Sequence, residues 1–273
     1  MNPTKALRVH PGHPAHLDDV DPADTLGVSR DDAEHALADD LNALQDLQQR
    51  LFAEGSRSLL VVLQAMDAGG KDGTIRHVFG PLNPQGVHVA GFAKPTEHEL
   101  ARDYLWRVHA RVPERGSIGV FNRSHYEDVL IVRVANLMPK RVWSKRYDHI
   151  NAFERRLADE GTTILKFFLH VSAPEQLERL KKRLTHPNKG WKFNAYDWEK
   201  RKKRPQFLAA YEDALTKCST DHAPWFIIPA DHKWFRNHAI AHIVRETLEG
   251  MDPKPRKLDA TPEEVERLLA IED

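Results

Sequence analysis

The chain predicts an α/β fold: a parallel sheet with helices on both faces. Three observations carry that prediction. Five short apolar runs recur along the chain, helical stretches separate each run from the next, and 273 residues with 41% hydrophobic content suffice for one sizeable core.

The N-terminal stretch, with Pro3, Pro11, Gly12, Pro14 and scattered His, reads as an irregular, flexible arm. Asp31 to Glu54 follows with an apolar helical face of Ala36, Leu37, Leu41, Leu44, Leu47, Leu51 and Phe52, and Ser29 as its N-cap. The strand-like runs are Leu59–Leu63, Val87–Gly91, Ile118–Phe121, Thr163–Val171 and Trp225–Pro229. Helical patterns cover Lys71–Phe79, Glu97–Arg111, His125–Asn136, Trp143–Glu160, Pro174–Thr185, Asp197–Thr216 and Trp234–Leu248. A Pro/Lys/Arg-rich strap from Met251 to Leu258 and a short amphipathic helix, Pro262–Ile271, end the chain. The expected organisation is an arm and helix over 1–56, a single α/β domain over 57–250, and a tail over 251–273.

The first run empties into Gln64-Ala65-Met66-Asp67-Ala68-Gly69-Gly70-Lys71-Asp72-Gly73-Thr74. A strand, a glycine-rich turn carrying lysine, and a helix form the layout of a phosphate-binding loop, in which backbone N–H groups and the lysine face an anion. Ala65 stands where the first glycine of G-x-x-x-x-G-K-[ST] belongs, and Asp72 where Ser or Thr would hold magnesium. In an open parallel sheet ligands sit beyond the carboxyl ends of the strands. The third run also exits into polar residues: Asn122, Arg123, Ser124, His125, Tyr126, Glu127 and Asp128. Asp67 would repel a phosphate in such a nest unless a divalent cation lay between them, and Asp128 can supply a second carboxylate; Glu127 would point about 100° away on a helix. Each carboxylate also has a plain structural reading, Asp67 as a turn former and Asp128 as a helix-start residue.

Net charge is zero but unevenly spread. Eleven Lys/Arg between Glu178 and Arg204 face three acids, giving +8 there and −8 elsewhere. Arg179, Lys182 and Arg183 fall on one helix face, and Pro187, Gly190 and Trp191 then break the helix as a hinged flap would. A basic lid over a phosphoryl group outweighs a passive solvated surface. Trp191, Phe193, Tyr196 and Trp198 interleave with these cations, as stacking platforms or as packing of the flap. The sixteen His show no metal-ligand spacing, so zinc is not expected, and Ser124–His125 lacks the glycine elbow of a nucleophile pair. Cys218 is the sole cysteine, which favours a reducing cytoplasm, and no apolar run reaches membrane-spanning length.

On the loop motif, on Phe121-Asn122-Arg123-Ser124-His125-Tyr126-Glu127-Asp128, on Gly80-Pro81-Leu82-Asn83-Pro84-Gln85-Gly86-Val87, and on Lys181-Lys182-Arg183 with its basic sequel, the chain resembles the polyphosphate kinase 2 family over about Leu59 to Leu248. The resemblance implies a three-layer α/β/α P-loop kinase fold, thymidylate-kinase-like, with a helical basic lid at about 178–204. It implies reversible transfer of the terminal phosphate of inorganic polyphosphate to AMP or ADP with Mg²⁺, replaceable by Mn²⁺, in a homodimer or homotetramer. Adenine nucleotides are the implied acceptors, with guanine nucleotides as further candidates; neither nucleic acid nor membrane is an expected partner. By matching position, Asp67 and Asp128 would be essential carboxylates orienting the acceptor phosphate and the metal. Lys71, Arg123, Lys182 and Arg183 would hold phosphates, Lys71 and Arg183 joining the two carboxylates as the catalytic set. Ala68, Gly69, Gly70, Asp72, Gly73, Thr74, Asn122 and Lys181 complete the binding set, and Glu127 would influence which nucleotide is accepted.

Two other readings share parts of this pattern. An ATP-dependent nucleoside monophosphate or small-molecule kinase would use the loop and lid without responding to polyphosphate. A non-catalytic polyanion- or RNA-binding module would need only the basic segment.

Overall fold

The computed structural model describes residues 2–185, 195–256 and 261–271. Its centre is a five-stranded sheet in the order β2-β3-β1-β4-β5, with β1 Ser58–Ala65, β2 Val87–Gly91, β3 Ile118–Asn122, β4 Thr162–His170 and β5 Trp225–Pro229. Every neighbouring pair is parallel. β1 is buried along its whole length, as a central strand of a covered sheet must be. Its side chains alternate between two cores. Leu60 and Val62 join one with Phe153, Ile164 and Tyr211; Leu59, Val61 and Leu63 join the other with Leu44, Leu51 and Ile240. The result is the expected three-layer α/β/α architecture.

The arm departs from expectation. Asn2 caps α1, Pro3–Ala6, and Val9 and Leu7 then pair antiparallel with Trp225 and Ile227 on the outer edge of β5 (2.8 and 2.9 Å). Leu7, Val9, Ala15 and Leu17 are buried, so the stretch read as irregular and flexible is packed and covers an otherwise open sheet edge. α2, Arg30–Glu54, begins at Ser29, whose Oγ accepts from Asp32 N. Of its expected apolar face, Phe52 lies half exposed, while Asp40 is buried where Arg245, from the long helix near the C-terminus, reaches it at 3.0 Å.

Five expected helices are interrupted. α3, Lys71–Thr74, widens until Gly80 N bonds Ile75 O. The stretch 97–111 is two turns, α4 Glu97–Leu100 and α5 Trp106–His109, because the Asp103 carboxylate accepts from Leu105 N and starts a second turn. The stretch 125–136 becomes a tight 3₁₀ turn, His125–Asp128, and α6, Ile131–Val134, since the His125 and Tyr126 side chains are drawn into the core. α7 Lys140–Trp143 and α8 Arg146–Asp159 divide the next. After α9, Ala173–Thr185, α10 Ala195–Lys202 gives way to α11 Arg204–Cys218 where Pro205, lacking an N–H, opens a new helix. α12, Lys233–Met251, and α13, Pro262–Leu269, complete the chain.

The breaks assigned to Pro187, Gly190 and Trp191 lie outside the described residues, as do Lys189, Lys192, Phe193, Leu258 and the Tyr196 ring.

Candidate active site

β1 and β3 end side by side, with Leu63 opposite Asn122. The chain turns at both exits through left-handed backbone: Ala68 at φ +63° and Gly70 at +112° in the loop, Arg123 at +63° after β3. Gly69 admits no side chain, because a Cβ there would meet that of Ala65 at 2.6 Å. Arg123 N donates to Leu63 O (3.1 Å), and Asn122 Nδ2 donates to Asp72 Oδ1 (3.0 Å), so the two strand exits are stitched together.

Asp67 is the hub. Arg123 Nη2 stands 3.1 Å from its Oδ1 and Lys200 Nζ 3.2 Å from its Oδ2. Burial pushes this carboxyl up, but Lys200, Lys71 and Arg123 outweigh it and hold the group below its usual range, as a carboxylate. Glu127, Phe207 and Tyr211 share the cavity wall with Asp67, Arg123 and Lys200. Assigning the Gln64 amide with its NH₂ toward Glu127 gives a 3.2 Å bond and leaves its oxygen to accept from Ser124.

Lys71 is buried and donates from Nζ to Ala65 O (2.9 Å). Burial, followed by repulsion from Arg123, lowers its pKa to about 8 against the pull of Asp67 and Glu127. Thr74 is fully buried, and its hydroxyl has no hydrogen-bond partner among the described residues.

Asp128 faces elsewhere. Arg146 Nη1 donates to its carboxylate (2.8 Å) and to its backbone oxygen (3.0 Å), and it does not line the cavity that holds Asp67 and Glu127. Burial raises it to about 6 despite Arg146 and Arg107. The helix geometry expected to turn Glu127 away is a 3₁₀ turn instead, which puts Glu127 on the cavity wall.

The basic helix faces are unequal. Lys181 and Lys182 are exposed on α9, Lys182 pairing with Glu178 at 3.2 Å, and Arg183 is half-buried. Arg179 does not join them at the surface; it donates to the Ala68, Gly69, Ala230 and Asp231 carbonyls and pairs with Glu175, bracing the loop from behind. Gln176 Nε2 donates to Asp67 O (2.9 Å), and Arg204 Nη1 donates to Gln176 Oε1 (2.9 Å).

Three contributors carried no sequence signal of their own: Lys200, one of a run of five cations; Gln176, an unremarkable helix residue; and Arg236, buried in α12 against Gly70 and Gly73. Their contacts depend on how α9, α10 and α12 dock, which no local spacing reports.

Comparison with known proteins adds independent support. The family model for polyphosphate kinase 2 (PPK2) matches residues 27–256. The chain is similar to the AMP/ADP-polyphosphate phosphotransferase of Meiothermus ruber, 56% identical over 249 residues that cover 90% of this chain and 93% of the relative. It is 40% identical over 284 residues to the ADP-polyphosphate phosphotransferase of Rhodopseudomonas palustris, covering 98% and 96%. The crystal structure of polyphosphate kinase 2 from Arthrobacter aurescens TC1 superposes with a TM-score of 0.94 at 40% identity, covering 100% of this chain and 98% of that one.

Proposed function

The chain belongs to the polyphosphate kinase 2 family, and from that premise we propose that it moves the terminal phosphoryl group of inorganic polyphosphate onto AMP or ADP. In this reaction the terminal P–O–P bridge breaks, a bond forms to an oxygen of the acceptor's last phosphate, and the polymer leaves one unit shorter; the reverse direction uses the same groups. The observation that carries the reading is the set of cations around Asp67: Lys71, Arg123 and Lys200 meet at the exits of β1 and β3. Phosphoryl transfer needs alignment and charge neutralisation more than a nucleophilic side chain. In this proposal Lys71, Arg123, Lys182 and Arg183 hold phosphoryl oxygens, the loop from Ala68 to Thr74 cradles them, and Lys181 adds charge at the rim. Glu127, beside Asp67, faces the acceptor.

The donor set also suits Mg²⁺, which takes one or two carboxylates plus phosphate oxygens. Among the described residues no group of three or more His, Cys, Asp or Glu could hold a metal. Asp67 stays ionised and is the proposed ligand. Asp128 is the proposed second carboxylate, and Glu127, which shares the wall with Asp67, is its competitor; Glu127→Gln against Asp128→Asn separates them. Bound there, the ion would neutralise charge on the transferred group. Mn²⁺ as a substitute, guanine nucleotides as further acceptors, a cytoplasmic site, a homo-oligomeric state and indifference to nucleic acid complete the proposal. No helix among the described residues is long and apolar enough to cross a membrane.

One assay tests it: purified protein, AMP or ADP, Mg²⁺ and long-chain polyphosphate, followed for ADP and ATP. Nucleotide phosphorylation that requires polyphosphate supports the proposal. Turnover from ATP alone would favour an ordinary kinase, and polyphosphate binding without turnover a passive polyanion module.

A further inference from the structure

Arg236 is only 2% exposed, yet no carboxylate among the described residues balances its charge. Its hydrogen bonds from Nε (3.2 Å) and Nη2 (2.7 Å) both end on one neutral acceptor, Asn237 Oδ1. Among the described residues, burial and repulsion from Arg179 are what act on it. The guanidinium abuts the loop through its terminal nitrogens: a Cβ on Gly70 would fall 2.0 Å from Nη1, and one on Gly73 3.2 Å from Nη2. Arg179 Nη1 would stand 3.7 Å from the same Gly70 Cβ. Two guanidiniums therefore flank one glycine, while among the described residues one carboxylate, Glu175, pairs with Arg179 at 2.7 Å.

A buried charge without a counter-ion is unfavourable to the free protein, and proteins retain such features where function uses them. Arg236 is too enclosed to clasp a ligand, but glycine lets its charge act across the thickness of one backbone. Lys233, one turn earlier on the same helix and exposed, extends the positive field outward toward Lys182.

Resting on the polyphosphate reading above, we propose that Arg236 is a fixed counter-charge for the donor: it positions polyphosphate by acting through the loop, and it costs the unliganded protein stability that the bound polymer restores. The shared chemistry is a phosphoryl oxyanion, which either substrate could present, so the test treats the two substrates separately.

The test uses the full-length protein with Arg236→Met, which keeps the bulk and removes the charge, and Arg236→Lys, which keeps the charge. Thermal midpoints are read without ligand, with long-chain polyphosphate alone and with AMP alone, together with KM for polyphosphate and its dependence on salt. For Arg236→Met we expect an unliganded midpoint equal to or above wild type, a polyphosphate-induced shift at most half as large, a KM for polyphosphate at least tenfold higher with a shallower salt dependence, and an unchanged AMP shift. Arg236→Lys should recover most of the polyphosphate response. An unliganded midpoint below wild type would make Arg236 a structural brace and overturn the proposal, as would a polyphosphate shift kept in full. Equal loss of the AMP shift would overturn the assignment to the donor. A wild type that neither gains stability from polyphosphate nor turns it over would sink the underlying reading, which keeps the two failures apart.

Discussion

Lys71 donates its ammonium hydrogen bond to the carbonyl oxygen of Ala65, 2.9 Å away at the end of the strand that delivers the loop. The lysine is thus tethered within the loop it serves, buried and beside Arg123, and its pKa falls to about 8. The sign follows directly: a lysine below its ordinary 10.5 loses its charge as pH rises through about 8. We expect kcat/KM for polyphosphate to fall across that pH, since kcat/KM reports the free enzyme. Lys71→Arg should move the fall at least one unit upward, because guanidinium stays charged. Lys71→Ala should lower turnover by about 10²-fold or more. A pH profile identical in wild type and Lys71→Arg would remove Lys71 from the ionisation.

Asp67 has two cations within 3.2 Å and belongs to the loop expected to carry phosphate. Removing its charge should strengthen the attraction of the loop for a polyanion while weakening the hold on a cation. For Asp67→Asn we therefore expect polyphosphate binding without Mg²⁺ to be retained or tightened, the Mg²⁺ needed for half-maximal rate to rise by at least about tenfold, and turnover to fall about 10²-fold. In wild type a chelator should stop the reaction and added Mg²⁺ restore it. Near-normal turnover at unchanged Mg²⁺ would refute the metal role of this carboxylate.

Asp128 combines burial with a 2.8 Å bond to Arg146, and burial prevails, placing it near 6 instead of the ordinary 3.8. A carboxyl raised on folding binds more protons in the native than in the unfolded state between those values. Its contribution to stability therefore declines as pH rises from about 4 to about 6. Asparagine cannot titrate, so the stability of Asp128→Asn relative to wild type should climb across that window, by on the order of 3 kcal/mol, and level off above it. Arg146 loses a partner at every pH, so only the slope is diagnostic. Denaturant midpoints of both proteins at half-unit steps would show it; parallel curves would mean the group titrates normally.

The sequence carried the frame further than the site. β2 and β5 begin and end where their apolar runs do, and the loop follows β1 as the glycines require, because burial and turn chemistry are written locally. Partners set by docking were not legible. The arm reads as polar coil, yet Leu7 and Val9 pair with β5, and only the open edge of β5 explains why. Lys200 reads as one cation in a run until α10 brings it to Asp67. Glu127 reads as facing away under α-helical geometry, and the anchoring of Tyr126 changes the turn that decides it.

That anchor is a fully buried network beneath the site. Lys166, on β4, donates from Nζ to Glu154 Oε2 (2.5 Å), Cys218 O (2.6 Å) and Tyr126 OH (2.8 Å). Glu154, on α8, also accepts from Tyr126 OH (2.9 Å) and from the assigned Nε2–H of His125 (3.0 Å). Both ionised side chains are 0% exposed, and burial that should raise the Glu154 carboxyl is outweighed by Lys166 and His125. Removing one charge of such a pair strands the other in a medium that solvates it poorly, at a cost of about 3–5 kcal/mol, whereas removing both can be close to neutral. Glu154→Gln and Lys166→Met should each unfold at markedly lower denaturant, and the double variant should be more stable than the sum of the two losses by at least about 2 kcal/mol. Because Tyr126 and His125 form the turn that carries Glu127, the double variant should also lose turnover although its fold is largely recovered. Additive losses in the double-mutant cycle would show that the two charges do not depend on each other, and full activity in the double variant would show that the turn holds its shape without them.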